Sequence, residues 1–309
     1  MAVSAGWGLP SVLQADPEPR LTMPPDIEAS TVVWASHPHA QGGGMTQQKA
    51  TAEMLDAGVV ALTGRSEPGA AWRSFFTPDD IIGIKFNRSG SEILGTSSSF
   101  AEALLGCLKK ADIALDRIVL VEAPDGLSGR IACREAIPGY DREPTSFGSG
   151  TDELAAVVSQ VTAIINVPFL KTHNLAGMTC ALKNLSHGLI KHPARFHANG
   201  CSPFIGDIVA MPQIQRKLKL NLVNALRIIF HGGPEGTRES VVAASSILAS
   251  TDPVACDSVG LQLLNDAREE RGMAPIASNP AQLPYLSHAH RLGLGIAMTS
   301  GIRVKRIEM

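Results

Sequence analysis

Two lysines and a histidine near the middle of the chain have the types and spacing that acid–base chemistry needs. Lys171 and His173 follow a short apolar segment at residues 163–167, and Lys183 lies ten residues after His173. Small residues at positions 176–177 let a backbone or a ligand approach closely. Lysines beside a buried strand end usually bind an anion or take part in chemistry. We therefore predict that Lys171, His173 and Lys183 are catalytic.

The lysine charges bear on the protonation state of His173. Neighbouring positive charge and burial both lower the pKa of a histidine, so we expect a neutral imidazole near pH 7 that can accept a proton or bind a metal. His197, beside Arg195, is the predicted metal ligand. His187 and His192 precede it at steps of five residues, and five residues turn a helix by about 500°. The three histidines therefore do not share a helical face, and we predict that His187 and His192 are solvated loop residues.

Four further residues are predicted to bind a cofactor. They lie at strand ends, next to Lys183 or in a tight glycine turn: Lys85, Asn87, Asn184 and Gly233. Ligands of open α/β sheets bind outside the carboxyl ends of the strands, so we expect Asn87 to face one cleft with the three catalytic residues. The sequence contains neither a G-x-x-x-x-G-K-[ST] loop nor a G-x-S-x-G turn. This excludes a P-loop nucleotide hydrolase and a nucleophile-elbow hydrolase.

These residues need a scaffold, and the sequence predicts an α/β fold. Short β-branched segments alternate with helical patterns, which favours a mainly parallel, Rossmann-like sheet with helices on both faces. Strands are predicted at residues 32–35, 81–86, 118–121 and 163–167, and helices at 46–62, 100–108 and 152–161, the last with Thr151 as N-cap. The C-terminal half is less regular, with helices at 176–190, 252–264 and 283–292, an apolar periodic segment at 218–230 and a strand at 302–307.

Length and composition indicate a globular chain. The 309 residues are 44% hydrophobic and 18% charged, which is enough to build a large core. We predict one α/β domain at residues 26–309; two joined lobes, at 26–160 and 161–309, are the alternative. Residues 1–25 are a predicted leader and linker. If the small, apolar start is the end of an export signal, the protein is periplasmic or extracellular; otherwise it is cytoplasmic.

Charge and cysteine usage limit the partners. A formal net charge of −2 gives no reason to expect nucleic acid, and no apolar run is long enough to span a bilayer. The expected partner is a small anionic molecule. The five cysteines are scattered without a C-x-x-C pair, which argues against an iron–sulfur cluster. The identity of any cofactor stays open, with a divalent metal as one candidate, and so does the oligomeric state.

Several stretches resemble the domain-of-unknown-function family 362 (DUF362). Members often carry ferredoxin-type cysteine clusters, which this chain lacks, and some are exported with twin-arginine signals. The resemblance implies an α/β protein with its site on the Lys-Thr-His and Lys-Asn segments. The matching stretches lie at residues 84–87, 167–173, 177–185, 232–234 and 252–260.

The chain is also distantly similar to the nickel-pincer lactate racemase family. That family places a catalytic histidine ten residues before a lysine that anchors the cofactor, and His173 and Lys183 reproduce the spacing. His197 is the nearest candidate for the family's metal-binding histidine. The paired glycines before the lysine are Ala181 and Leu182 here, and no second acid/base histidine can be assigned. The similarity implies a shared fold and pocket more than a shared reaction.

Three interpretations of these residues stay open. The first is an enzyme, isomerase- or oxidoreductase-like, that performs acid–base chemistry on a small carboxylate with a metal or anionic cofactor between Lys183 and His197. The second is a protein that binds or handles a metal or cofactor in the same pocket without turnover. The third is a polar but inert core. A histidine that is oriented by a partner and open to a cleft would favour the enzyme.

Overall fold

The fold is described from a computed structural model that covers residues 29–127 and 131–309. The predicted leader and linker at residues 1–25 lie outside this range. Twelve strands lie within it: β1 (Ser30–Ser36), β2 (Ile82–Lys85), β3 (Ile118–Val121), β4 (Arg134–Glu135), β5 (Thr145–Phe147), β6 (Gly150–Asp152), β7 (Ala163–Asn166), β8 (Phe169–His173), β9 (Gly177–Thr179), β10 (Leu218–Ile229), β11 (Val241–Ser250) and β12 (Ile302–Glu308).

Ten of these strands form one mixed, mostly parallel sheet. Its order is β12-β1-β11-β10-β7-β2-β3-β4, with β8 on β10 and β9 on β8. β1, β10, β7, β2 and β3 all run the same way, because β11 is antiparallel to both β1 and β10. The predicted strands at 32–35, 81–86, 118–121 and 163–167 therefore lie in a single sheet, as expected.

Helices cover both faces of this sheet. α1 (Gly44–Thr63) and α4 (Ser97–Lys110) bury Met54 and Leu104 in one core with Ile84 of β2. α10 (Pro253–Glu269) buries Val259 on the other face, in a core that also holds Leu182. No helix of the described residues is long and apolar enough to cross a membrane. The shorter helices are α2 (Pro68–Arg73), α3 (Ser91–Leu94), α5 (Val157–Gln160), α6 (Ala181–Ser186), α7 (Ala198–Cys201), α8 (Phe204–Val209), α9 (Pro212–Gln215) and α11 (Pro284–Arg291).

Two helix predictions are wrong in part. At residues 152–161 only α5 is helical, and Thr151 is not an N-cap but a residue of β6, which pairs with β5. The carboxylate of Asp152 accepts hydrogen bonds from the backbone and ring of His192 instead. At residues 176–190 the chain first forms β9, and α6 follows as a helix of six residues. Tertiary pairing with β8 overrides the local helical pattern there.

The strand β10 is long enough to pair with two shorter strands in succession. Its first part lies parallel to β7 and its second part parallel to β8. Val167 and Pro168 separate β7 from β8, and proline cannot donate to a strand ladder. The predicted apolar segment at 218–230 is thus a strand. Its antiparallel partner β11 has no counterpart among the sequence predictions.

Candidate functional site

The β8–β9 hairpin and α6 bring the predicted catalytic residues together. Lys171 and His173 lie on β8, and His173 pairs with Gly177 of β9. Gly177 has a positive φ of 84°, which suits the tight return of the chain. Lys183 lies in α6 directly after this hairpin. All three side chains are buried, with relative exposures of 1% for Lys171, 9% for His173 and 6% for Lys183.

Lys183 is a buried ammonium group with a histidine as its hydrogen-bond partner. Its Nζ lies 3.1 Å from Nε2 of His197. Within residues 29–127 and 131–309, no carboxylate forms an ion pair with Lys183. Burial lowers the pKa of Lys183 to about 8, and the nearby Cys201 opposes this shift. Loss of its proton near neutral pH would turn Lys183 into a base or a nucleophile.

His173 has a fixed ring orientation and a defined tautomer. Its Nδ1 accepts hydrogen bonds from the backbone N–H groups of Leu175, at 3.1 Å, and Ala176, at 3.2 Å. Because Nδ1 faces two donors, the neutral ring carries its proton on Nε2. Burial, followed by the charges of Lys183 and its neighbours, lowers the pKa of His173 to about 3. The neutral state is as expected, but the lone pair is not free for a base: Nδ1 already accepts two hydrogen bonds, and Nε2 carries the proton, so it can donate but not accept.

Three further side chains next to Lys183 could hold a metal. His187, His197 and Cys201 each offer one ligand atom, and these atoms lie within 4.8 Å of one another. The rings of His187 and His197 meet edge to face at 4.6 Å between centroids. Imidazole and thiolate together suit zinc, nickel or copper. The donor set therefore fits a transition metal and includes His197, whose role as a metal ligand stays a prediction.

Both histidines of this set are held neutral. Burial is the first cause of the lowered pKa of His187 and of His197, and the charge of Lys183 is the second. His187 is buried, with Nε2 at 3.0 Å from the carbonyl oxygen of Phe196. Its prediction as a solvated loop residue is thus wrong, because the chain folds back over α6. His192 is half-exposed and pairs with Asp152.

Lys85 and Asn184 lie side by side beneath the Lys183 cluster. Nζ of Lys85 donates to Oδ1 of Asn184 at 3.2 Å and forms an ion pair with Oε2 of Glu122 at 3.1 Å. Burial lowers the pKa of Lys85, and Glu122 raises it. Nδ2 of Asn87 donates to the same Asn184 oxygen at 3.0 Å. Of these three predicted cofactor-binding residues, Asn184 is therefore in direct contact with each of the other two.

Lys171 secures the turn after β2. Its Nζ donates to the carbonyl oxygen of Ser89 at 2.6 Å and to the Ser89 hydroxyl at 2.8 Å. Burial lowers its pKa to about 8, with Glu235 opposing the shift and Lys183 adding to it. Because the Ser89 turn accepts hydrogen bonds from Lys171, we expect this side chain to supply positive charge and to hold the turn rather than to transfer a proton.

Not all of the predicted residues face one cleft. A cavity of about 300 Å³ lies at the carboxyl ends of β2, β3 and β7, and Asn87 lines it, whereas Lys171, His173 and Lys183 do not. Gly233 is buried against the backbone: a Cβ there would lie 1.9 Å from the carbonyl oxygen of Thr172. The structure thus explains Gly233 by close packing, and its predicted role in cofactor binding stays a prediction.

Two residues near the cluster were not predicted. Asp257 of α10 is buried, and its carboxylate accepts hydrogen bonds from the backbone N–H of Leu182 at 3.3 Å and from the hydroxyl of Tyr285 at 3.1 Å. The bond to Leu182 fixes the start of α6. Burial raises the pKa of Asp257 to about 7. Cys201 has a left-handed backbone with φ of 62°. The spacing of four residues between His197 and Cys201 is the sequence feature that could have predicted their proximity.

Comparisons with known proteins identify the family of this region. No curated protein matches the chain. Among solved structures, the chain is similar to the lactate racemase apoprotein from Thermoanaerobacterium thermosaccharolyticum, with a TM-score of 0.47 and 9% identity. The match covers 78% of this chain and 58% of that protein, so the chain spans less than two thirds of its length. The family profile of the domain of unknown function DUF362 matches residues 139–262, which carry the Lys183 cluster. Residues 139–262 therefore match the DUF362 family profile, as the sequence resemblance implies.

Proposed function

We propose that this protein is an enzyme that moves a proton on a small carboxylate substrate at the Lys183–His173 cluster. The observation that carries the proposal is the buried Lys183 ammonium with its pKa of about 8 and no carboxylate partner in the described residues. A charge in such surroundings is costly, and strongly perturbed groups of this kind concentrate at functional sites. The cationic surroundings favour an anionic substrate.

Lys183 acts as the base in its neutral amine form. Its Nζ removes the proton from the carbon next to the carboxylate and returns a proton to the same carbon. A base with a pKa near the working pH combines a usable fraction of the free amine with adequate basicity. His197, which contacts Nζ, provides a neutral partner that neither neutralises the ammonium nor blocks its deprotonation.

His173 acts as a hydrogen-bond donor to the negative charge that develops on the substrate oxygen. Its Nε2–H is free to donate because the backbone N–H groups of Leu175 and Ala176 engage Nδ1. A neutral imidazole in this role needs no proton transfer of its own and stays neutral because of its lowered pKa. This role replaces that of a general base, which the sequence alone predicted.

A metal centre is the second candidate function. His187, His197 and Cys201 would hold the ion, which would supply Lewis-acid chemistry or make the protein a metal-handling protein. Nζ of Lys183 already contacts Nε2 of His197, so loss of the lysine proton would favour binding. Affinity for zinc or nickel should then rise with pH as the thiol and the ammonium lose their protons.

Hydrogen exchange tests the proposed proton transfer. The protein is incubated in D₂O with D- and L-lactate, malate and glycerate, and proton NMR follows the loss of the C–H signal next to the carboxylate. We expect exchange in at least one substrate, no exchange with Lys183→Met and about 10²-fold slower exchange with His173→Gln. Lys191→Met is the matched control, because Lys191 is partly exposed and already paired with Glu153. Equal rates for the wild type and Lys183→Met, or no exchange at all, would contradict the proposal.

Metal titration separates the second candidate from the first. Calorimetry with Zn²⁺ and Ni²⁺ compares the wild type with Cys201→Ser and with His187→Gln. Stoichiometric binding that both variants weaken, in a protein that exchanges no substrate proton, would favour the metal-handling function. Binding that neither variant changes would remove these side chains as metal ligands.

A further inference from the structure

The cavity at the carboxyl ends of β2, β3 and β7 is separate from the Lys183 cluster and has polar atoms in its wall. Its volume of about 300 Å³ lies at the small end of the range for ligand pockets. Asn87, Ser97 and Asn224 contribute polar groups, and Phe86 and Phe169 contribute apolar surface. Because the catalytic side chains do not line this cavity, a ligand here is independent of the function proposed for Lys183.

A chain of buried asparagines fixes the orientation of the Asn87 amide. Nδ2 of Asn221 donates to the carbonyl oxygen of Ser250, which cannot donate in return. Oδ1 of Asn221 therefore accepts from Nδ2 of Asn166, and Oδ1 of Asn166 accepts from Nδ2 of Asn184. By the same reasoning, Oδ1 of Asn184 accepts from Nδ2 of Asn87. Each amide in the chain has only one possible orientation, and Oδ1 of Asn87 is the acceptor left over.

That acceptor is buried and has no hydrogen-bond partner in the described part of the chain. A buried acceptor without a partner is energetically unfavourable, so it requires an explanation. The hydroxyl of Ser97, at the start of α4, is buried without a partner in the same way. Both residues line the same cavity. Two unsatisfied polar atoms in one wall indicate that a ligand completes their hydrogen bonds.

Asn224 adds a donor to this wall. Its side chain is 2% exposed, and its Oδ1 accepts from the backbone N–H of Leu226 at 3.3 Å and from the hydroxyl of Thr96 at 3.3 Å. The orientation of this amide is therefore fixed as well. Its Nδ2 donates to no residue within 29–127 or 131–309. The wall thus offers a free acceptor on Asn87, a free donor on Asn224 and a hydroxyl on Ser97 that can act as either.

We propose that this cavity binds a neutral, hydroxyl-rich ligand such as a monosaccharide or a cyclic polyol. A hydroxyl group donates and accepts at once, which matches a wall that presents both kinds of free atom. A metal ion cannot accept a hydrogen bond from Asn224. An anion is disfavoured because Glu92, Glu122 and Asp125 outnumber Arg88 around the cavity.

Binding of D-ribose, D-glucose and myo-inositol tests the proposal, measured by saturation-transfer NMR and calorimetry on the full chain up to about 50 mM. Ser97→Ala removes the free hydroxyl, and Asn224→Asp replaces the free donor with an acceptor while keeping Oδ1. Ser149→Ala is the matched control, because the Ser149 hydroxyl is also buried and unpartnered but does not line this cavity. Lys183→Met separates this cavity from the catalytic proposal.

We expect at least one of the three probes to bind the wild type. Ser97→Ala and Asn224→Asp should each weaken that binding about tenfold, which corresponds to one lost hydrogen bond. Ser149→Ala and Lys183→Met should leave it unchanged. The proposal is overturned if no probe binds, or if Ser97→Ala binds as tightly as the wild type. Binding of acetate or of Ca²⁺ that Ser97→Ala or Asn224→Asp alters would also overturn it, because the cavity would then be an ion site.

Discussion

Burial of the Lys183 ammonium costs free energy because the surrounding protein solvates the charge less well than water does. The pKa of Lys183 falls to about 8 from an unperturbed value of 10.5. A lowered lysine pKa means that the folded state binds the proton more weakly than the unfolded state does. The cost is fully present below pH 8, and it disappears as the pH rises from about 8 to 10.5. Its size is about 3 kcal/mol.

Replacement of Lys183 by methionine should therefore stabilise the protein while removing its activity. Methionine has a similar length and no charge, so we expect the free energy of unfolding at pH 7 to rise by up to about 3 kcal/mol. The difference between the two proteins should shrink between pH 8 and 10, where the wild-type lysine loses its proton. Urea unfolding at several pH values measures this.

The control for this prediction is Lys191→Met. Lys191 lies 40% exposed in its ion pair with Glu153, so its replacement should change stability by less than about 1 kcal/mol. A Lys183→Met variant that is less stable than the wild type at pH 7 would show that the ammonium has a stabilising partner. Burial of the Lys183 ammonium would then not reduce the stability of the protein.

At the level of single residues, the sequence spacing predicted that Lys171, His173 and Lys183 lie close together. It did not predict the other members of the cluster. The order Lys171, His173 and Lys183 marked a strand end followed by a helix, and these side chains do lie together. The roles of His187 and Cys201 depend on a fold-back of the segment after α6, which no periodicity reports. The tautomer of His173 depends on two backbone N–H groups that only the hairpin turn positions.

At the level of elements, the contact between the Gly233 turn and β8 holds in place the strand that carries Lys171 and His173. The backbone N–H of Gly233 donates to the hydroxyl of Thr172 at 3.0 Å. Thr172 lies between Lys171 and His173, so a shift of this contact moves both side chains. A Cβ at Gly233 would lie 1.9 Å from the Thr172 carbonyl oxygen, and a backbone atom cannot move away as the end of a flexible side chain can.

We therefore expect Gly233→Ala to destabilise the protein by more than about 3 kcal/mol and to reduce any activity of the folded fraction. Gly42→Ala is the control: its Cβ would approach no atom closer than 3.8 Å, and its φ is −75°. Guanidinium unfolding compares the two variants. Equal stability of Gly233→Ala and Gly42→Ala would mean that the turn can move, and that β8 does not depend on this contact.

The predicted elements were most accurate where burial and periodicity agree. The helices α1 and α4 and the strands β2, β3 and β7 lie where the apolar patterns place them. The segments at 152–161 and 176–190 are partly strand because residues distant in the sequence pair with them. Asp152 binds His192, and β9 pairs with β8. Local patterns carry no information about such partners.

At the level of the whole molecule, the central sheet positions the two candidate sites, which are the Lys183 cluster and the cavity lined by Asn87. The asparagine chain runs from the interior of β10 to the carboxyl ends of β7 and β2, and Asn184 links it to the helix that carries Lys183. The cavity lined by Asn87 and the helix that carries Lys183 are thus connected by hydrogen bonds through Asn184. The parallel sheet was predictable from the sequence, whereas the separation of Lys171, His173 and Lys183 from this cavity was not, since β8 and β9 were not predicted as strands.

The proposed function depends on Lys183 acting as a base, and the pH dependence of substrate hydrogen exchange tests this most directly. The exchange rate of the C–H next to the carboxylate is measured in D₂O between pH 6 and 10, for the substrate that exchanges fastest. Because only the neutral amine removes the proton, we expect the rate to rise about tenfold per pH unit and to level off near the Lys183 pKa of about 8. A rate that is flat between pH 6 and 10, or that falls above pH 7, would contradict this role of Lys183.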